Sequence, residues 1–499
     1  MKKEIREQVR AANAENDTEL LRNSEIRNGE FIRYYGKKSE IVIPDSITTI
    51  SESAFRGNQK LTKITLGKHV AVIQPNAFRD CSNLHAIVIP SGLRFIGDDA
   101  FRGCRDLVSV VLPRSTVHIG AGAFRGCRSL SHMVLSVYVE YIGAFAFCNC
   151  ESLTEMILPD TLTAVHRGTF FNCRSLRTLT LPAGVTTVGR YAFCGCIALE
   201  EMALPDQINY IGSGAFSECQ SLRHFRVPQL VRFIGDYAFS QCESLESIEL
   251  HDDITYIGIH AFCACRALTH IVLPKRLERI GLAAFLNCNQ LSEIVIPQNV
   301  REIGKRAFAY CTGLKRVEIR SFLQAIEDAT FQCCFALSAI EIPNGVMRIN
   351  DKAFYKCISL SEISLPSALK TIGERAFSEC EQLEEISLPV ALEQISNHAF
   401  AECTALKTVI LPNRRLNVGF LTFSGCEALE TLVVPNAFRW IRYRLDRWSV
   451  PQSTRVVSHR ELQLTLLLAE LADPETSEAR KEELQEEIRI SRRKLRKRR

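Results

Sequence analysis

Cysteine is the residue type of this sequence with the widest range of chemistry, because thiolates bind metals and pair as disulfides. Twenty cysteines occur in 499 residues. Three Cys-x-Cys pairs stand out, at residues 148 and 150, 194 and 196, and 263 and 265. The densest group of ligand types is His260, Cys263 and Cys265, whereas a structural zinc site needs four converging ligands. We therefore expect no metal site and no cofactor.

Sixteen of the cysteines obey a strict period, which indicates packing instead of reactivity. Each stands three residues after a phenylalanine that recurs every 23 residues. A cysteine that follows a structural repeat serves as a small buried hydrophobe, and this use suits a reducing compartment. The periodic cysteines are Cys81, Cys104, Cys127, Cys150, Cys173, Cys196, Cys219, Cys242, Cys265, Cys288, Cys311, Cys334, Cys357, Cys380, Cys403 and Cys426.

The eleven histidines do not form a recognisable catalytic group. His132, His224 and His270 occupy one column of the repeat, but whole repeats separate them. The chain contains no nucleophile-elbow, phosphate-loop or dinucleotide-binding motif. The sequence therefore predicts a protein without catalytic residues and without enzymatic activity.

The phenylalanine period organises most of the chain. Phe55 begins a series of seventeen phenylalanines that ends at Phe423, with no insertion or deletion. A leucine follows each of them by six residues, and aliphatic residues, Met or Phe follow at nine and eleven. That alternation predicts a short strand with one buried face. Proline comes next in thirteen copies and ends the strand, because it has no N–H for a ladder.

A second apolar pair, such as Leu369 and Ile372, completes each copy. Glycine follows the pair in eleven copies, Gly97 and Gly373 among them, and predicts a tight turn. The segment from that turn to the cysteine lacks strand alternation, which predicts a short helical or 3₁₀ turn. One copy cannot bury its own apolar face, so we expect stacked copies with parallel strands about 4.8 Å apart. The predicted fold is an α/β repeat solenoid.

Four segments follow from these patterns. Residues 1–30 are polar and predict either a short solvated helix or a disordered arm. Residues 31–434 form the predicted solenoid, with a degenerate first unit before the seventeen repeats. Residues 435–457 hold both tryptophans and predict a cap over the C-terminal end of the stack. Residues 458–499 predict a helical tail with a basic end.

The tail carries its own helix signals. Ser458-His-Arg-Glu461 fits a helix-capping box, and the leucines that follow it end at Asp473-Pro474. A second helix is predicted from about Thr476 to Leu495.

Two motifs within each repeat point to a known family. Leu-x-x-Ile-x-Leu-Pro occurs from Leu360 to Pro366, and Ile-Gly-x-x-Ala-Phe-x-x-Cys from Ile372 to Cys380. With these motifs, about residues 31–434 resemble the BspA-like class of leucine-rich repeats. The resemblance implies a right-handed rod with a parallel sheet on its concave side, and a binding role. Many members of that class are secreted or surface-attached adhesins.

The exposed strand positions, eight and ten residues after each phenylalanine, are the predicted binding surface on the concave face. Contiguous aliphatic residues there mark either a partner site or only the preference of β-branched residues for strands. Position ten is aliphatic in four consecutive copies, at Val88, Val111, Val134 and Ile157.

The same face turns acidic farther along the chain. These carboxylates either keep the sheet solvated or dock a basic partner, which includes the chain's own tail. An acidic face does not suit nucleic acid lying along it. The acidic positions are Glu293, Glu318, Glu341, Glu362 and Glu385.

Arginine directly follows the phenylalanine in the first four copies, at Arg56, Arg79, Arg102 and Arg125. Like charges about 5 Å apart repel one another unless an anion or an acidic partner lies between them. The column is therefore either a phosphate or acidic-protein site or a relic of repeat duplication.

The basic end of the tail is the strongest charge signal. Net charge is +5, and residues 489–499 contain eight Lys or Arg and no acid. The rest of the chain has 53 basic and 56 acidic residues. Arg492, Arg493, Lys494 and Arg496 could bind acidic protein, nucleic acid or anionic lipid, or only complement the helix dipole.

Together these patterns predict a non-enzymatic scaffold that binds an unidentified protein partner on the concave face. Two alternatives stay open. One is a secreted or surface adhesin that contacts host or neighbouring cells, and the other is a nucleic-acid-associated protein acting through its basic tail. No apolar signal region follows the N-terminus and no apolar run could span a membrane, so we expect a cytoplasmic location, with non-classical export as the alternative.

Overall fold

A computed structural model describes residues 18–435, 441–473 and 476–496. The chain forms two compact units, Met1–Pro274 and Lys275–Arg499. Both units contain the same two kinds of strand. A leading strand begins two residues after the repeat leucine, and a trailing strand ends five residues before the next phenylalanine.

The leading strands of the first unit pair in parallel, as the alternating pattern predicts. Val110 is buried between Ser109 and Val111, which face solvent. The register advances by one 23-residue period per strand, because Ser109 lies opposite His132 and Val111 opposite Val134. The leading strands are Glu40–Val42, Lys63–Thr65, Ala86–Val88, Ser109–Val111, His132–Val134, Glu155–Ile157, Thr178–Thr180, His224–Arg226 and Ser247–Glu249.

The trailing strands of the first unit form further parallel sheet, which the sequence pattern did not predict. A helical turn over residues 18–22 and an antiparallel hairpin of Ser24–Arg27 with Glu30–Tyr34 precede them. Strand Ser24–Arg27 lies inside the segment 1–30 that the sequence assigned to an arm. The trailing strands are Thr49–Ile50, Val72–Ile73, Phe95–Ile96, His118–Ile119, Tyr141–Ile142, Ala164–Val165, Thr187–Val188, Tyr210–Ile211, Phe233–Ile234 and Tyr256–Ile257.

The second unit repeats both strand types. Its leading strands are Glu293–Ile296, Arg316–Ile319, Ala339–Glu341, Glu362–Ser364, Glu385–Ile386, Thr408–Ile410 and Thr431–Val434. Its trailing strands are Arg279–Ile280, Glu302–Ile303, Ala325–Ile326, Arg348–Ile349, Thr371–Ile372, Gln394–Ile395 and Asn417–Val418. The predicted parallel solenoid of 23-residue repeats, with helices at its C-terminal end, is therefore confirmed.

Turns, and no helix, connect trailing to leading strands in the described repeats, so the predicted helical or 3₁₀ segment is wrong. Bonds from N–H to the carbonyl three residues earlier do occur, as from Cys81 to Phe78 at 3.1 Å. The residues two before and two after each phenylalanine have positive φ, for example Asn76 at 57° and Asp80 at 61°. A left-handed residue reverses the chain and interrupts a helix before it can extend.

Stacked phenylalanine rings fill the core of each unit. From Phe31 to Phe262, neighbouring ring centroids lie 5.0–5.7 Å apart. From Phe285 to Phe423 they lie 5.3–6.0 Å apart. The uniform period places the same side chain at the same point of every layer, so the rings form one column in each unit. Stacked aromatic pairs add about 0.5–1.5 kcal/mol each beyond their burial.

The periodic cysteines are buried, as predicted, and they also donate hydrogen bonds. Cys81 Sγ donates to the carbonyl oxygen of Phe55 at 3.0 Å, and Cys219 Sγ donates to that of Phe193 at 3.2 Å. In both cases the acceptor belongs to the preceding copy. Each thiol therefore joins its own copy to the one before it.

The periodic glycine has a different cause from the tight turn that the sequence predicted. Gly97 and Gly143 do not have positive φ. A Cβ atom on Gly97 would lie 2.6 Å from the backbone nitrogen of Pro75, and one on Gly143 would lie 2.5 Å from that of Ala121. Glycine at this position therefore permits close approach of the backbone of the preceding copy.

The C-terminal end of the second unit replaces a repeat turn with helix α1, Ile441–Trp448. The Phe423 N–H donates to the Trp448 carbonyl at 2.9 Å, and the buried Trp448 indole donates to the Val418 carbonyl at 3.2 Å. Strand Arg455–Ser458 then pairs in parallel with Thr431–Val434. Two other aromatic residues of the predicted cap lie outside the described residues, namely Phe438 and Trp440.

Helices α2, His459–Ala472, and α3, Glu478–Arg496, form a hairpin. The Ser458 hydroxyl accepts a bond from the Glu461 N–H at 3.2 Å, and the Glu461 carboxylate accepts one from the Ser458 N–H at 2.8 Å. The predicted capping box is confirmed. In the part of the chain that the structure describes, no helix combines the length and apolar character needed to cross a bilayer.

Candidate functional site

The predicted aliphatic residues lie on exposed positions of neighbouring leading strands in the first unit. The exposed fractions are 48% for Val88, 60% for Val111, 40% for Val134 and 89% for Ile157. We call these four residues the aliphatic stripe. Because Val111 lies directly opposite Val134, their side chains adjoin across the ladder.

Polar and small side chains border the aliphatic stripe. They stand at the first position of the same strands, where Ala86 lies opposite Ser109 and Ser109 opposite His132. The border contains one carboxylate, Glu155, on the last of the four strands. An exposed apolar centre with a polar edge is the arrangement typical of protein interaction surfaces.

Four further exposed aliphatic residues at this repeat position were missed in the sequence, namely Val42, Val272, Val295 and Ile410. Val42 is 63% exposed and occupies the same strand position in the degenerate first unit. Thr65 separates it from Val88 in the register. The repeat spacing could have found Val42, because it stands 23 residues before Thr65.

The five predicted acidic residues line one groove of about 1490 Å³ in the second unit. We call it the acidic groove. The leading strands bring them together, since Glu293 and Glu318 stand on adjacent paired strands. The other three are Glu341, Glu362 and Glu385.

Two of these carboxylates are neutralised within the chain. Glu293 forms an ion pair with Arg316, and Glu318 pairs with Arg320 at 2.6 Å. The Arg320 guanidinium holds the pKa of Glu318 below its usual range. A sixth acid of the groove, Glu384, pairs with Lys407 at 2.6 Å. Among the described residues no ion pair involves the other three predicted acids, so these three supply the free negative charge of the groove.

The predicted arginine column is partly balanced by the chain's own acids. Asp99 lies between two of its members, 3.7 Å from Arg79 and 3.1 Å from Arg102. Arg125 lies over the Phe145 ring at 5.6 Å, whereas Arg56 is exposed. Asp99 thus reduces the repulsion between these arginines without an anion or an acidic partner from outside the chain.

The basic residues predicted in the tail belong to α3. Arg492 is exposed. The side chains of Arg493, Lys494 and Arg496 lie outside the described part of the structure. Arg489, at the start of the basic run, pairs with Glu486 at 2.7 Å.

An exposed aromatic series on the trailing strands was not found from the sequence. The Phe95 and His118 rings lie 6.1 Å apart, and the His118 and Tyr141 rings are stacked at 4.8 Å. Phe95 and Tyr141 are 41% and 39% exposed. The sequence pattern that could have revealed this series is an aromatic residue six positions before the repeat phenylalanine.

The cysteines remain thiols. All twenty are free, and Cys263 is the one that is not fully buried. Burial raises the pKa of Cys194 to about 11 and that of Cys81 to about 12, so neither is an activated thiolate at neutral pH. No cluster of three or more metal-ligating side chains occurs in the described residues.

Comparisons with known proteins give one family and several structural relatives. The model of the BspA type leucine rich repeat region matches residues 24–137, 117–246, 232–351 and 324–445. No curated protein matches the chain. Leucine-rich repeat proteins of this kind have a protein-interaction or surface-associated role and are in general non-enzymatic scaffolds.

Solved structures of bacterial proteins are similar to this chain. A leucine-rich repeat protein from Bacteroides ovatus is 26% identical over 86% of this chain and 94% of its own, with a TM-score of 0.43. The T. pallidum leucine-rich repeat protein is 31% identical over 39% of this chain and 82% of its own, with a TM-score of 0.33. The pneumococcal vaccine antigen PcpA is 20% identical over 67% and 91%, with a TM-score of 0.41. On the strength of the family match from residue 24 to residue 445, the chain belongs to the BspA-type leucine-rich repeat family.

Proposed function

We propose that this protein is a non-enzymatic scaffold that binds a protein partner on the exposed face of its leading strands. The observation that carries the proposal is the aliphatic stripe. Four adjacent copies expose aliphatic side chains at one position, although a polar residue would fit there equally well, as Thr65 and Thr180 do.

Burial of the stripe supplies the attraction. Removing apolar surface from water is favourable by about 25 cal/mol per Å², and a partner that covers the stripe gains this contribution at each strand. The hydrogen-bonded ladder already holds the backbone of these strands in place, so binding orders little additional main chain. The polar border supplies hydrogen bonds and orientation instead of affinity.

The acidic groove supports a second contact, with a basic region of a partner. Its three free carboxylates attract positive charge, and this attraction weakens with salt. Long-range attraction raises the association rate more than the final affinity.

We further propose a reducing, cytoplasmic location. The burial of the periodic thiols supports it, because cysteine used as a small packing residue suits a reducing compartment. Cell fractionation followed by alkylation of the unfolded protein tests this. Recovery of the intact chain outside cells, with oxidised cysteines, would favour the adhesin alternative instead.

A capture experiment with the full chain tests the binding site. We expect Val111→Glu combined with Val134→Glu to lose partners that the wild-type chain retains, because the charges cannot be buried without a counter-ion. Val272→Glu is a matched control, since Val272 is 65% exposed at the same repeat position but outside the stripe. If the double variant and the control recover the same partners as wild type, the stripe is not the binding site.

A further inference from the structure

The C-terminal helix hairpin has a small core of its own. Leu467, Leu484 and Ile488 are buried between α2 and α3, and Leu464 and Leu471 pack partly against them. Helix α2 also contacts the sheet at Thr431–Val434 and Arg455–Ser458, whereas the main packing partner of α3 is α2. Helix α3 therefore offers most of its circumference to another surface.

A groove of about 610 Å³ runs along one side of the hairpin, and its lining combines four apolar residues with Gln485, Glu486, Arg489 and Arg492. Leu468 from α2 and Ile490 from α3 line it and are 37% and 43% exposed. Leu471 and Ile488 form its floor, where it meets the hairpin core. The groove is thus continuous with the core of the hairpin.

The charges of α3 change sign at this groove. Residues 478–487 contain five Glu and two basic residues, whereas residues 488–496 contain five basic residues and no acid. The change falls between Glu487 and Arg489, beside Ile488 and Ile490. One helix therefore presents an acidic half, an apolar centre and a basic half in sequence.

We propose that the groove binds a second copy of this chain, with the two α3 helices antiparallel and a two-fold axis near Ile488. Such a pair brings the acidic half of each helix against the basic half of the other. The same surface then serves both partners, which a two-fold interface requires. The apolar centres meet on the axis, and the four helices share one core as in a helix bundle.

Ion pairs between the copies follow from this arrangement. Glu482 of one copy lies close to Arg492 of the second copy, and Glu486 lies close to the second copy's Arg489. Glu482 and Arg492 are exposed and form no ion pair within the described residues. Glu486 and Arg489 already pair within one chain at 2.7 Å, and in the dimer they form a four-charge cluster.

The charge pattern favours a second copy over other occupants. An anionic membrane or a nucleic acid would attract the basic half of α3 and repel its acidic half. A uniformly basic or acidic protein would likewise match one half only. An antiparallel copy of α3, in contrast, places opposite charges against both halves of the helix.

Sedimentation equilibrium of the full chain tests the apolar centre. We expect a concentration-dependent dimer, and we expect Leu468→Glu or Ile490→Glu to raise its Kd at least about tenfold. Leu466→Glu is the matched control, because Leu466 is 61% exposed on α2 outside the groove and should leave the Kd unchanged. A wild-type chain that stays monomeric, or a dimer that Ile490→Glu does not weaken, would overturn the proposal.

A charge-exchange experiment tests the antiparallel register without relying on a loss of structure. Arg489→Glu with Arg492→Glu makes the four proposed contact positions 482, 486, 489 and 492 all acidic, and Glu482→Lys with Glu486→Lys makes the same four positions all basic. We expect each double variant to be monomeric alone and an equimolar mixture to form a heterodimer, with circular dichroism reporting that both remain folded. A mixture that stays monomeric would contradict the antiparallel register.

A second pair of substitutions tests the competing arrangement, in which the basic tail binds the acidic groove. If Glu341→Lys with Glu362→Lys abolishes the dimer, the tail binds that groove and the proposal is overturned.

Discussion

At the scale of single residues, the periodic cysteine has two roles that a small apolar residue alone would not fill. Its sulfur packs in the core, and its S–H donates to a phenylalanine carbonyl of the preceding copy. That carbonyl also accepts a backbone N–H three residues later in its own copy, as Phe55 does from Asn58 at 3.0 Å. Loss of the thiol therefore weakens a contact between copies without leaving the acceptor entirely unpaired.

Removal of one periodic thiol should lower stability measurably. We expect Cys219→Ala to destabilise the protein by about 1–2 kcal/mol, through lost packing and one lost hydrogen bond. Cys263→Ala, at the partly buried off-period thiol, should change stability by less than about 0.5 kcal/mol. Urea unfolding followed by circular dichroism measures both, and equal midpoints for the two variants would contradict the role assigned to the ladder.

The buried thiols also predict loss of stability at alkaline pH. The ordinary thiol pKa is 9.0, whereas burial raises that of Cys81 and of Cys426 to about 12. Above pH 9 the unfolded chain releases thiol protons that the folded chain keeps, so the free energy of unfolding falls as pH rises. Below the unfolded pKa both states are protonated and this contribution is fully present.

Each such thiol lowers the free energy of unfolding by up to about 1.4 kcal/mol per pH unit in that range. The urea midpoint should therefore be steady from pH 7 to about pH 8.5 and then fall steeply up to about pH 12. Cys81→Ala should make the free energy of unfolding fall less steeply with pH, because one fewer proton is released on unfolding. A midpoint that does not change above pH 9 would show that the thiols are not buried in solution.

At the scale of the repeat element, the turn before each phenylalanine depends on close backbone approach at one residue and on positive φ at two others. Sequence reading found the glycine at the first position but assigned it to a tight turn. It missed the left-handed positions because residues such as Tyr191 and Arg375 occupy them, and these types carry no turn signal. The trailing strands were not predicted for a related reason, because a strand of two residues is too short to show alternation.

Substitutions at two glycines test close backbone approach and positive φ separately. We expect Gly97→Ala to destabilise the stack by about 2 kcal/mol or more, because its Cβ would lie 2.6 Å from the Pro75 backbone nitrogen. Gly57→Asn should be nearly neutral, since Gly57 has a φ of 72° with open space around it and asparagine tolerates that conformation. Thermal unfolding of both variants compares them directly, and a neutral Gly97→Ala would refute the close-approach explanation.

At the scale of the whole molecule, the strict period allowed the solenoid and the buried columns to be predicted from residues alone, and the Ser-x-x-Glu spacing at Ser458 predicted the capping box. The binding surfaces were only partly predictable. The positions of Val88 to Ile157 follow from the register. So does the pairing of Glu293 with Arg316, which stand one period apart, but the sequence analysis considered the acidic positions without their basic neighbours. Asp99, the acid that pairs with Arg79 and Arg102, occupies a different position of the repeat from these arginines. Comparing residues that share one repeat position therefore does not reveal the contact.

The period itself predicts which deletions the fold tolerates. Removal of residues 101–123 takes out one 23-residue copy and joins Ala100 to Phe124, so every remaining column stays in register. We expect this chain to keep its circular dichroism and to unfold at a similar urea concentration. Removal of residues 101–112 joins Ala100 to Pro113 and breaks the columns, and this chain should unfold more easily. Equal stability of the two deletions would mean that the register is not what holds the copies together.

The direction of the bonds between copies has a mechanical consequence. Strand N–H groups, thiols and stacked rings all connect one layer to the next, so tension applied to the two ends of such a stack acts on these contacts one layer at a time. The layers should peel off in succession at low force, and each releases roughly 70 Å of chain. A scaffold built in this way can lengthen under load while its remaining layers, and any partner held on them, stay intact.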